Sequence, residues 1–203
     1  MVMIPCFPAL LEKNLHSLGN MFDTVNKIIV TGKAYFAENP QKLSTFLEMG
    51  KTCMFSEKDT VSTSTGNNAE GAVLFQLILQ VFEGTPALGE SGIFEFILEA
   101  TCERIAKAAA TNTETKLATT LNKHLLGVFL SASIYAPEIT VRFLLRKENY
   151  IDQILDELFL QEAEFKHEYE EKLFVVGLSQ LITVGTLWPQ KLPQAVLLVL
   201  KKL

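Results

Sequence analysis

Apolar residues recur at three- and four-residue spacing through almost every segment of this chain, and no stretch sustains the strict alternation of a strand. That single periodicity confines the fold to packed helices. The stretch YEEKLFVVGLSQLITV, residues 169–184, shows it most clearly. Its charges sit at the front, while Phe174, Leu178 and Leu181, with Val175 and Ile182 beside them, line one face. Gly177 lies inside that face, where it costs about 1 kcal/mol of helix propensity but lets a neighbouring helix come close.

The other segments read the same way. Leu11, Leu15, Leu18, Phe22, Val25 and Ile29 form one long stripe. Asn39-Pro40 predicts a helix start, Asn as cap and Pro in the first turn, followed by Leu43, Phe46, Leu47, Gly50 and Cys53. Residues 56–66, SEKDTVSTSTG, read as a polar loop, after which Asn67 is placed to cap a helix and Glu70 to reach back to it. The buried side of that helix is predicted as Val73, Leu74, Leu77, Ile78 and Val81, before the turn-rich GTPALGESG. From about residue 91 to 110, Phe94, Leu98, Cys102, Ile105 and Ala109 face in, and Glu95, Glu99, Glu103 and Lys107 face water. Leu117, Leu121, Leu125, Val128 and Ala132 continue the pattern to Pro137. Three shorter segments follow: Ile139, Phe143 and Leu144; then Ile151, Ile154, Leu155, Leu158 and Phe159; and a last helix from Pro193.

Short turns between these segments make neighbouring helices antiparallel. Predicted starts near residues 68 and 113, and near 91 and 137, are each about 45 residues apart, the period of HEAT and armadillo helix pairs. The expected fold is therefore all-α, with antiparallel helix pairs stacked as a HEAT-like α-solenoid. Residues 1–203 are read as one repeat region, a segment of a longer solenoid, and a compact helical bundle is the competing architecture.

Composition narrows the function. With 48% hydrophobic and 20% charged residues the chain is too apolar to be disordered. A net charge of −5 and a pI near 5.3 oppose direct nucleic-acid binding, which needs a basic field, and favour basic protein partners. Cys6, Cys53 and Cys102 cannot all pair and lack metal-ligand spacing, so reduced thiols of the cytoplasm or nucleus are expected. The uncharged run 173–190 contains Ser179, Gln180, two glycines and Pro189, and reads as a buried helix and turn, not a membrane span.

No catalytic signature emerges. Gly89 is followed by Glu90 and Ser91 where a phosphate loop needs lysine, and His16, His124 and His167 are far apart. Glu164 and His167 make one Glu-x-x-His, half of a di-iron set, with no second copy. The expectation is a non-enzymatic chain with no cofactor and no metal. One charge feature stands out: eight acidic residues between 152 and 171, with only Lys166 among them. Asp152, Asp156, Glu157, Glu162, Glu164 and Glu168 read either as the solvated side of two helices or as a landing surface for a basic partner.

Three stretches carry a family likeness: TFLEMGKTCM (45–54), FEFILEATCERI (94–105) and EEKLFVVGLSQLI (170–182). In this order they resemble the carboxy-terminal region of the importin-β superfamily of HEAT-repeat nuclear transport receptors, nearest the importin seven/eight subfamily. The last also resembles the matching helix of the exportin that recycles importin-α. The resemblance implies a receptor shuttling between cytoplasm and nucleus through the nuclear pores. Its implied partners are basic cargo proteins, the GTPase Ran and FG-repeat nucleoporins. The shared residues are those that pack helices, so no binding residue is carried over. Family members are several times longer, and their main Ran-binding region is amino-terminal, so Ran contact is expected through a part of the receptor that has no counterpart here.

Overall fold

The computed structural model describes residues 17–55, 65–111, 116–147 and 150–202. Among them are eleven α-helices and no strand. They are α1 (Ser17–Thr31), α2 (Lys33–Glu38), α3 (Ser44–Met54), α4 (Thr65–Val81), α5 (Pro86–Glu90), α6 (Ile93–Thr111), α7 (Lys116–Tyr135), α8 (Pro137–Arg146), α9 (Tyr150–Leu160), α10 (Glu168–Thr183) and α11 (Leu192–Lys202). Short 3-10 segments at Pro40–Leu43, Glu162–Glu164, Gly185–Leu187 and Pro189–Lys191 join some of them. The protein is all-α, and its helix pairs are compatible with a solenoid. The chain divides into two compact units, Met1–Leu125 and Leu126–Leu203.

In the first unit α4 is the central helix, packed most extensively on α3 and also on α1 and α6. Two glycines set the α3–α4 crossing. A Cβ on Gly50 would lie 2.6 Å from the Phe75 ring, and one on Gly71 would strike the Gly50 carbonyl oxygen and the Met54 side chain. Residues 50 and 54 thus meet 75 and 71 in reverse order, so the two helices run antiparallel. Missing side chains let the backbones approach where any other residue would hold them apart. Around this crossing, Phe36 meets Phe46 and Phe82 edge to face at 5.8 and 6.5 Å, and Phe75 meets Phe96 at 6.3 Å.

The predicted faces of α3 and α10 match the buried residues: Leu43, Phe46, Leu47, Gly50 and Cys53 in one, Phe174, Gly177, Leu178 and Leu181 in the other. Glu95, Glu99, Glu103 and Lys107 are all exposed on α6. Four expectations are corrected. Asn39 does not cap the helix after it; its Nδ2 donates to the Tyr35 carbonyl at 3.0 Å, because the open carbonyls at the end of α2 are nearer. α4 begins at Thr65, so Asn67 lies inside the helix and not at its cap, and the polar loop is shorter than 56–66. The buried side of α4 adds Phe75 and Leu79, with Val73, Leu77 and Val81 only half-buried, because three helices surround it. On α8 the inward residues are Thr140, Val141 and Leu144, and Ile139 is exposed. Leu11, Leu15, Cys6, His16 and most of the 56–66 loop lie outside the described residues.

In the second unit α10 packs on α8 and α11, and α8 on α9. Gly177 sits against the α7 backbone: a Cβ there would be 2.8 Å from both Cβ and the carbonyl oxygen of Leu130. The start of α10 is held by Glu170, whose carboxylate accepts from the backbone N–H groups of Lys166 and His167 at 3.2 and 3.3 Å. Past its end, the buried Trp188 indole donates to the Leu181 carbonyl at 3.2 Å and fixes the return toward α11. Among the described residues no helix is long and apolar enough to cross a membrane.

Candidate partner-binding surface

The six acidic residues singled out from the sequence all fall in the second unit, on α9, the 162–164 turn and the start of α10. Asp152 and Asp156 are one helical turn apart on α9, and both face Lys191. The Lys191 ammonium is 2.5 Å from an Asp156 oxygen and 3.8 Å from an Asp152 oxygen, and donates to the Asp152 carbonyl at 2.9 Å. Glu157 accepts from the Gln161 side-chain amide at 3.1 Å.

The Glu162 side chain is only 15% exposed, and two lysines of α11 converge on it: Lys201 at 2.9 Å and Lys202 at 3.7 Å. The Lys202 side chain is 10% exposed, lies 5.5 Å from the centre of the Phe174 ring and is 4.0 Å from Glu171. Such a cation is held by ring quadrupole and carboxylate together, in a setting drier than a surface pair. Glu164 and Glu168 face outward, and each has a local lysine: Lys166 at 3.5 Å and Lys172 at 2.5 Å.

The carboxylates therefore come together, but not as a bare acidic field. Within the tract only Lys166 was visible as an opposing charge, whereas the structure adds Lys172, Lys191, Lys201 and Lys202. Lys201 pairs across 39 residues, a distance over which helix spacing gives no signal.

Among the described residues no group of three or more His, Cys, Asp or Glu could hold a metal ion. His167 stands at the cap position of α10 with Glu170 as its capping partner, and the Glu164 carboxylate pairs with Lys166. His124 lends its backbone carbonyl to the Gln76 side chain at 2.7 Å, tying α4 to α7. In the first unit a cavity of about 480 Å³ opens between the starts of α3 and α6, floored by Pro40, Leu47, Ile93 and Phe96 and rimmed by Ser44, Glu48 and Ser91.

Two charged groups are perturbed by burial. Desolvation raises the Glu70 carboxyl above its usual range, and its Oε2 has no hydrogen-bond partner among the described residues. Desolvation also lowers the Arg104 guanidinium, whose Nε donates to the Met54 carbonyl at 2.6 Å and closes the end of α3. It remains a cation at neutral pH. Beside it Lys51 spans α3 and α6, 3.2 Å from Glu103 and 5.6 Å from the Phe96 ring centre. These are devices for joining helices.

No family model, no curated protein and no solved structure matches the chain significantly.

Proposed function

We propose that the chain is a non-enzymatic segment of an importin-type receptor, taking part in protein import into the nucleus by binding basic cargo and FG-repeat nucleoporins, with Ran contacted through another part of the receptor. The observation that carries this reading is the place of the three resembling stretches. They lie on α3, α6 and α10, and each is a helix with an apolar face buried against a neighbour and a polar face in water. Helix pairs of this kind present long surfaces to other proteins and no enclosed reaction site. The acidic outer residues Asp156, Glu164 and Glu168 suit a basic cargo.

A structural scaffold of HEAT-like helices, without a Ran cycle, is the second reading. It is favoured by the lysines that already meet the acidic tract. A pulldown of the chain with Ran loaded with GTP or GDP, an FG-repeat segment and a basic protein separates the two. Retention of Ran-GTP or the FG segment supports the receptor. Failure to retain the FG segment, with the basic protein still bound, removes the transport reading and leaves the scaffold. Cargo retained only together with Ran-GTP would turn the direction to export, as in the exportins of the same superfamily.

A further inference from the structure

We infer that the cavity between the starts of α3 and α6 binds a small organic cation, an ammonium carried on an aromatic or branched aliphatic body. The inference goes beyond the transport reading and does not depend on it. Every residue lining this space of about 480 Å³ belongs to the first unit, and the volume is that of a small-molecule pocket. Two helices begin beside it, each after a tight turn. The 3-10 turn Pro40–Leu43 leads into α3, and Gly92, at φ 72°, leads into α6. A Cβ on Gly92 would meet nothing within 4 Å, so the space at that turn stays open.

The floor selects the body of the ligand. Pro40, Leu47, Ile93 and Phe96 are apolar, and Phe96 is only half-buried, which leaves part of its ring to a guest. The rim selects its charge. Glu48 is the one charged residue in the lining; it is exposed, and no cation or hydrogen-bond donor meets its carboxylate among the described residues. Both rim hydroxyls have spent their protons: Ser44 donates to the Gln41 carbonyl at 2.7 Å, and Ser91 to the Ala87 carbonyl. Their oxygens are left as acceptors, like the carboxylate, and an ammonium brings donors only. Phe96 adds the attraction of an aromatic face for a cation. The Lys51 ammonium already lies 5.6 Å from that ring's centre, with its own charge answered by Glu103 at 3.2 Å. An anion would meet Glu48, and no lysine or arginine lines the cavity to hold it.

Titrating the full chain with phenylpropylammonium, phenylpropanol and phenylpropanoate tests the assignment, because the three share an apolar body and differ in charge. Methyl resonances of Leu47 and Ile93 report whether the ligand sits in the cavity. At low salt the ammonium should bind about ten-fold more tightly than the alcohol, with the carboxylate weakest, and shift both residues' signals. Glu48→Gln should weaken the ammonium about five-fold and leave the alcohol unchanged. Asp23→Asn, which removes an exposed carboxylate of α1, should alter neither. Equal affinities for ammonium and alcohol, or an equal loss in the Asp23 variant, overturn recognition of charge by Glu48 and with it the inference. Absence of ammonium binding, or binding that leaves the Leu47 and Ile93 signals unmoved, overturns the site itself.

Discussion

Gly177 shows how much a single residue can disclose. A glycine inside an apolar face signals a close neighbour through its spacing alone, and the neighbour is the Leu130 backbone. Backbone cannot step aside as a flexible side chain can. Gly177→Ala is therefore expected to destabilise the fold by about 1–3 kcal/mol, read from the urea midpoint at unchanged slope. A neutral effect would mean that α10 shifts freely against α7. Glu70 discloses less, because a carboxylate three residues after Asn67 looks like one side of a capping box. Only the position of Thr65 as helix start reveals that Glu70 lies inside α4, partly desolvated and with one oxygen unpaired. Its folded-state pKa is raised, so the folded protein holds this proton more tightly than the unfolded chain does. Stability then falls as pH rises from about 4.5 through the raised value. Glu70→Gln should stabilise the protein at pH 7 by less than about 1 kcal/mol after solvent screening, with no gain near pH 4. Melting temperatures of the variant and the parent across that range check the sign.

Elements were more legible than their connections. The helix carrying Ile139, Phe143 and Leu144 runs from Pro137 to Arg146, because Pro sets the first turn and Lys147 and Glu148 interrupt the apolar pattern. The inward faces of α3, α9 and α10 follow from spacing alone, because each of these helices buries one side. α4 departs from its predicted stripe because it is enclosed by α1, α3 and α6, and an enclosed helix has no polar side to orient the pattern. The clasp on Glu162 was invisible for another reason: its lysines follow it by 39 residues or more, and ion pairs leave no periodic trace. The glycine crossing of α3 and α4 yields a prediction about a pair of elements. Gly50→Ala and Gly71→Ala should each destabilise, since one Cβ meets the Phe75 ring and the other meets the Gly50 carbonyl. Once either has forced the helices apart, the second Cβ meets less. The double variant should fall short of the sum by about 0.5–3 kcal/mol, and strict additivity in a double-mutant cycle would place the two contacts in separate environments.

At the scale of the molecule, the two compact units give the chain two places to fail. The aromatic cluster around Phe36 and the glycine crossing hold Met1–Leu125; the Gly177 contact and the lysine clasp hold Leu126–Leu203. Stability in such chains is spread over cooperative segments that open at different free energies, and helix-pair architectures favour this because each pair depends mainly on its neighbours. Gly71→Ala should therefore raise hydrogen exchange more in α1–α6 than in α8–α11, and Gly177→Ala should do the reverse. The charged ends of α11 add a gradient inside the second unit. Raising the salt from about 0.05 to 0.5 M shortens the screening length roughly three-fold, which weakens the lysine pairs and leaves apolar contacts intact. Exchange should then rise first in α11, before α8 or α10. Equal rises across both units, for either glycine variant, would make the chain a single cooperative body and deny α11 any independence. An early rise confined to α11 would show that its lysine pairs, and not apolar burial alone, hold that helix in place.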